Sequence, residues 1–211
     1  AYSRAPKSVV NITNKASVLF QGGKIQEALD NIKLALEAEP RNSPALQLAG
    51  QIYMSIGEKK IAEKFWRDGI DAQPDYLYPY LSLGVLYYKD GNFRAGEDIL
   101  SEANKTYVTP NVISLLALNK IGLNKNSEAI NIIEKLFSSN PKEPELRFIL
   151  GVAYLKNGSE EIARGLLLDL KDPALQIMFF LIYLKKPRYL KWKFSMRIAR
   201  YLPRRQEGKC A

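Results

Sequence analysis

The chain contains no histidine. That removes the commonest general base and the commonest metal ligand at a stroke. It contains one cysteine, Cys210, beside the C-terminus, so no disulfide can close within the chain and a structural zinc site has no ligand set. No stretch reaches the roughly 18 apolar residues that a spanning helix needs. The longest candidate, "ALQIMFFLIYL" from Ala174 to Leu184, has 11 residues and reads as a buried helix. The first residue is Ala1, not Met, which fits either a processed mature form or an excised chain and leaves open a leader or anchor ahead of it. At 211 residues, 46% hydrophobic and 25% charged, the chain has the composition of one folded domain or one array of repeats.

Negative charge is scarce in one place only. The formal net charge is +9. From Lys185 to Ala211 there are ten cations and one acid, Glu207, which leaves residues 1 to 184 with 21 cations and 21 acids. The body is neutral and the tail carries the whole excess, an asymmetry that points to an anionic partner for that segment.

Within the body, glycine and alanine recur in register. Gly23, Gly57, Gly91, Asn124 and Gly158 stand 34, 34, 33 and 34 residues apart. Ala28, Ala62, Gly96, Ala129 and Ala163 follow them by five residues, and Ala16, Gly50, Gly84, Ala117 and Gly151 precede them at the same spacings. Each copy reads as two amphipathic helices of about 12 to 14 residues. A Gly or Asn between them supplies a left-handed turn. Small residues on both helices allow a close approach, and a bulky residue fills the next layer. On the first helix it is Leu19, Tyr53, Tyr87 or Tyr154; on the second, Ile32, Trp66, Leu100, Ile133 or Leu167. Pro40, Pro74, Pro110, Pro141 and Pro173 close the copies.

These residues resemble the tetratricopeptide repeat, with its small eighth residue, aromatic eleventh, Ala twentieth and Pro near the end. "LQLAGQIYMSIGEKKIAEKFWRDGIDAQP" and "YLSLGVLYYKDGNFRAGEDILSEA" carry the pattern most fully, and "FILGVAYLKNGSEEIARGLL" is close to them. The resemblance implies an all-α fold: a right-handed superhelical solenoid of helix-turn-helix repeats with a C-terminal capping helix. The expected divisions are an extension at 1–8; repeats at 9–42, 43–76, 77–109, 110–143 and 144–173; a capping helix at 174–186, broken by Pro187; and a basic tail at 187–211. The fourth copy departs, with Lys120 at the aromatic position and Asn124 in place of Gly, and looser packing is expected there.

No catalytic set emerges, and the chain reads as a non-enzyme needing no cofactor and no metal. The acid pairs Glu160–Glu161 and Glu97–Asp98 read as solvated helix faces, and "GGK" at Gly22 as a repeat turn and not a phosphate loop. The resemblance implies instead a concave face built from set positions of the first helices. The second copy places Gln47, Gln51, Met54 and Ser55 there. The third places Tyr78, Leu81, Val85, Tyr88 and Lys89, the fourth Asn111, Ser114, Leu118 and Ile121, and the fifth Phe148, Val152, Leu155 and Lys156. Apolar and aromatic side chains on such a face suit an apolar peptide or helix of a protein partner; the alternative is that they pack on one another or on the chain's own last helices. A subgroup of the family grips the carboxylate of chaperone tails with Lys and Asn. Thr13, Ser17 and Leu48 stand at those positions, so that clamp is missing.

The tail mixes Arg188, Lys191, Lys193, Arg197, Arg200, Arg204 and Arg205 with Trp192 and Phe194. As a helix it gathers Leu190, Phe194, Ile198, Tyr201 and Leu202 on one side, the composition of an interfacial helix on anionic lipid. Leu190, Trp192, Phe194, Met196 and Ile198 also alternate with polar residues at a strand's period. The expectation is peripheral association with a membrane surface or membrane-bound complex. The alternatives are an RNA- or DNA-associated assembly factor that binds through the tail, a tail that merely extends the cap or meets an acidic protein partner, and an accessory subunit docking a catalytic partner.

Overall fold

The computed structural model describes residues 5–168, with side chains from Val9 to Leu167. They form ten α-helices and no strand: α1 (Ala5–Gln21), α2 (Ile25–Ala38), α3 (Ser43–Ser55), α4 (Lys59–Ala72), α5 (Leu77–Asp90), α6 (Phe93–Thr106), α7 (Pro110–Gly122), α8 (Asn126–Ser139), α9 (Pro144–Lys156) and α10 (Glu160–Leu168). The capping helix at 174–186 and the tail at 187–211 lie outside the described residues. None of the described helices is long and apolar enough to cross a membrane.

One backbone device makes the five hairpins. After α1, α3, α5, α7 and α9 the chain passes through a residue with positive φ: Gly23 at 77°, Gly57 at 89°, Gly91 at 76°, Asn124 at 60° and Gly158 at 86°. The next amide then reaches back to the helix just ended. Lys24 donates to the carbonyl of Leu19, Glu58 to Tyr53, Asn92 to Tyr87, Lys125 to Lys120 and Ser159 to Tyr154, each at 2.9 Å. This is the bond that stops a helix with a left-handed cap. Asn tolerates the left-handed region better than other non-glycine residues, so the fourth turn keeps the geometry of the rest. On the far side, two of the first helices begin on side-chain caps followed by proline. Asn42 accepts from the amide of Ala45, and Thr109 accepts from that of Val112.

Two compact units divide between Ser82 and Leu83 among the described residues. In the first, α1 to α4 enclose Val9, Ala16, Ala28, Ile32, Ala35, Leu48, Ala49 and Ile52. Gly50 lies against the indole of Trp66, where a Cβ would overlap the ring. Trp66 is 3% exposed and donates its Nε1–H to the carbonyl of Gln47 at 3.2 Å. Buried Ser43 donates to the carbonyl of Gly69 at 2.5 Å, tying α3 to α4.

The second unit repeats the approach with other side chains. A Cβ at Gly84 would lie 2.8 Å from Leu100, and one at Gly151 would overlap Leu167. The fourth copy is not loose. Val112, Leu115, Leu116, Ala117, Leu118 and Asn119 of α7 are all buried. Asn119 is fully buried against Gly96, with Nδ2 donating to the carbonyl of Leu115 at 2.9 Å and Oδ1 without a partner. The amide fills the space that alanine occupies at this register in the other copies.

Gly96→Ala should therefore destabilise the chain by about 1–3 kcal/mol through overpacking, partly offset by alanine's helix propensity. Asn119→Ala in the same chain should restore most of the loss. Denaturant titration of both single variants and the pair would measure the coupling, and additive effects would refute the contact's importance.

Candidate functional site

The positions expected on the concave face belong to both units, and each unit's share differs in character. In the first unit Gln47 is 5% exposed and already engaged. Its Nε2 donates to Ser82 at 2.9 Å, while its Oε1 has no partner. Gln51, Met54 and Ser55 are half-buried along α3, and Ser55 donates to the carbonyl of Ile52. Tyr78 opens α5 and is 55% exposed. Its ring lies 5.4 Å from that of Tyr76, tilted by 56°. Burial first, and the neighbouring Tyr78 second, raise the pKa of Tyr76. Leu81, one turn further along, is half-buried.

In the second unit four positions of the expected face are interior. Val85, Leu118, Phe148 and Val152 are buried. Phe148 and Val152 form a core cluster with Ala163 and Leu167, flanked by half-buried Ile121, Tyr154 and Leu155. A residue sealed in this way supports the fold, and a partner cannot touch it without moving something aside. Tyr88 is half-buried with its ring 5.7 Å from Phe93, and burial pushes its hydroxyl up to about 12. Lys89, Asn111 and Ser114 are half-buried. Lys156 is exposed, and its carbonyl accepts from Asn126 at 3.0 Å. The expected membrane-contacting residues Arg188, Lys191, Trp192, Lys193, Phe194, Arg197, Arg200, Arg204 and Arg205 lie outside the described residues.

One constellation escaped the sequence reading. Glu97 was expected on a solvated face, and the structure overturns this: the residue is 5% exposed, whereas Asp98 beside it is exposed. Oε1 of Glu97 accepts from Lys120 at 2.7 Å and Lys125 at 2.8 Å; Oε2 accepts from Lys125 at 2.7 Å and Arg94 at 3.2 Å. Lys120 also bonds Glu128 at 2.6 Å. Burial by itself would raise the pKa of Glu97; the bonds and charge of Lys120 and Lys125 outweigh it and hold the carboxyl below its usual value. Burial would lower that of Lys120, but Glu128 and Glu97 hold it above the usual amine value. The bond and charge of Lys120 keep Glu128 low as well. The signal in the sequence was Lys120 itself, a cation at the register of an aromatic ring. Among the described residues no group of acids or Cys is arranged to hold a metal ion.

A family model described as tetratricopeptide repeat matches residues 114–174. The same helix-turn-helix unit runs through the described chain from α1 onward. The match shows that the chain carries a stretch similar to the tetratricopeptide repeat, from within α7 onward. Anaphase-promoting complex subunit 7 of Arabidopsis thaliana is 28% identical over 122 residues, 57% of this chain; the match spans only 22% of that protein's length. A solved tetratricopeptide repeat protein from Parabacteroides merdae superposes with a TM-score of 0.68 at 20% identity, covering 92% of this chain and 80% of its own. YrrB, described as a repeat protein with an unusual peptide-binding site, superposes with a TM-score of 0.68 at 18% identity, over 80% of this chain and 90% of its own. At these identities the two structures establish the fold, an all-α helical repeat.

The Gln47–Ser82 bond has no equivalent one tetratricopeptide repeat earlier. The two registers hold Thr13 and Leu48 there, and Thr13 is 9% exposed with its hydroxyl unpartnered. Thr13→Val should leave stability unchanged or raise it by up to about 1 kcal/mol, because a buried polar atom is removed at constant shape. A fall of the melting temperature would show that the hydroxyl has a partner in solution.

Proposed function

We propose that the chain is a non-enzymatic scaffold or assembly factor that holds an apolar segment of a partner protein against the first helices of its repeats. Proteins of this family generally mediate protein–protein interaction and scaffolding. The observation that carries the finer reading is Tyr78, an aromatic residue 55% exposed at the start of a helix whose next turn presents half-buried Leu81. Tyrosine contributes large contact area at low entropic cost, and exposed aromatic positions of this kind anchor partner segments. YrrB, a repeat protein with a peptide-binding site, supports the same use of the fold. The buried Val85, Leu118, Phe148 and Val152 then serve as the rigid backing of the repeats.

The basic tail supports a second, separable reading, in which the scaffold works at an anionic membrane surface or against a membrane-bound complex. Ten cations against one acid in 27 residues, interleaved with Trp192 and Phe194, combine electrostatic attraction with insertable apolar area. A neutral body with its basic charge confined to the tail favours this over a primary nucleic-acid binder.

Tyr78→Ala combined with Leu81→Ala should weaken a captured partner at least about tenfold, since truncating an interface anchor costs about 2 kcal/mol. Circular dichroism should show the helices intact; undiminished capture by the folded variant would refute the reading. For the tail, flotation with anionic and neutral vesicles should lift the full chain with anionic lipid alone and leave a chain ending at Lys186 behind. If neither chain floats, membrane association is wrong, and salt-dependent binding to RNA or DNA becomes the next measurement.

A further inference from the structure

The charge cluster of the second unit occupies the register where other repeats keep a ring. Tyr53, Tyr87 and Tyr154 stand at the position that Lys120 holds in the fourth copy. Glu97 lies in the second turn of α6, Lys120 near the end of α7, Lys125 in the turn before α8, and Glu128 in the first turn of α8. One carboxylate thus gathers groups from three consecutive elements. Arg94 faces Glu97 from its own helix, Lys120 from α7 and Lys125 from the turn, while Glu128 of α8 takes the other side of Lys120. The side chains of Glu97 and Lys120 are 7% and 12% exposed, so neither has ready recourse to water. Arg94 and Glu128 are open to solvent at 66% and 55%.

We propose that this cluster is an ionic latch: it holds α6 against α7 and the start of α8 only while Glu97 is charged, and this part of the second unit opens by itself, ahead of the remaining helices, when that charge is lost. The physical reason is the contrast with a ring. Apolar packing is indifferent to protonation. A buried ion pair is not, because neutralising one member leaves the other as an uncompensated buried charge. Loss of the Glu97 charge leaves Lys120 with the exposed Glu128 as its remaining carboxylate and takes from Lys125 the carboxylate it binds. A carboxyl held below its usual value contributes stability above the ordinary carboxylate range, and the contribution vanishes as pH falls through the folded value. Lys120, held above its usual value, contributes below the ordinary amine range and loses that contribution only as pH rises through its own folded value. The latch is therefore closed across neutral pH, and acid opens it through Glu97.

Native-state hydrogen exchange on the full chain, from neutral pH to about pH 3 and corrected for intrinsic rates, tests the idea. Amides of α6, α7 and α8 should lose protection at a higher pH than those of α3 and α4. Glu97→Gln should reproduce the effect at neutral pH, with protection in those three helices lowered roughly tenfold or more. Glu97→Leu combined with Lys120→Tyr puts the ring back and should remove the difference in acid response between the two sets of helices. Should Glu97→Gln fail to fold, the acid series on the wild type and on the Leu/Tyr variant decides alone. Protection lost together in both sets of helices, or an unchanged acid response in the Leu/Tyr variant, would overturn the proposal.

Discussion

Everything in this chain depends on two helix axes being able to come close. Gly50 under Trp66 in the first unit, and Gly84 under Leu100 and Gly151 under Leu167 in the second, leave no room for a single extra carbon. Interiors this dense transmit any change of volume to their neighbours. The left-handed turn between paired helices sets their separation and direction, and the small residues let the second helix lie where the turn sends it. Once both are fixed, the layer residues have defined places to fill.

Those constraints are why the repeats were legible. A backbone that must adopt positive φ and then approach another helix admits few residue types, so Gly, Asn and Ala mark it at fixed spacing from Gly23 to Ala163. The resemblance that followed rested on the same residues, and the helices, turns and closing prolines of the described chain agree with it. Asn124 was a departure in letter and not in geometry, since its φ of 60° matches the function of the glycines.

The candidate site was less legible, for a reason that can be named. Periodicity says which side of a helix a residue is on, and nothing about what lies over that side. Tyr78 and Lys156 are exposed, but Leu118, Phe148 and Val152 from the same kind of position are buried. Gln47 is engaged by Ser82, a residue 35 positions away. Glu97 failed in a similar way: beside Asp98 it looks like surface, and its partners Lys120 and Lys125 lie 23 and 28 positions on. An acid's surroundings are decided across repeats, whereas its helix period is decided within one.

The carbonyls that close the five turns belong to Leu19, Tyr53, Tyr87, Lys120 and Tyr154, the residues whose side chains define the layer. The turn asks only for the main chain of that residue. Its side chain is therefore free of the duty that fixes its neighbours, and the position can drift between aliphatic, aromatic and cationic chemistry while the hairpin stays the same. A repeat array built this way has one slot per copy in which the side chain can change class without redrawing the fold, and the fourth copy holds a cation there.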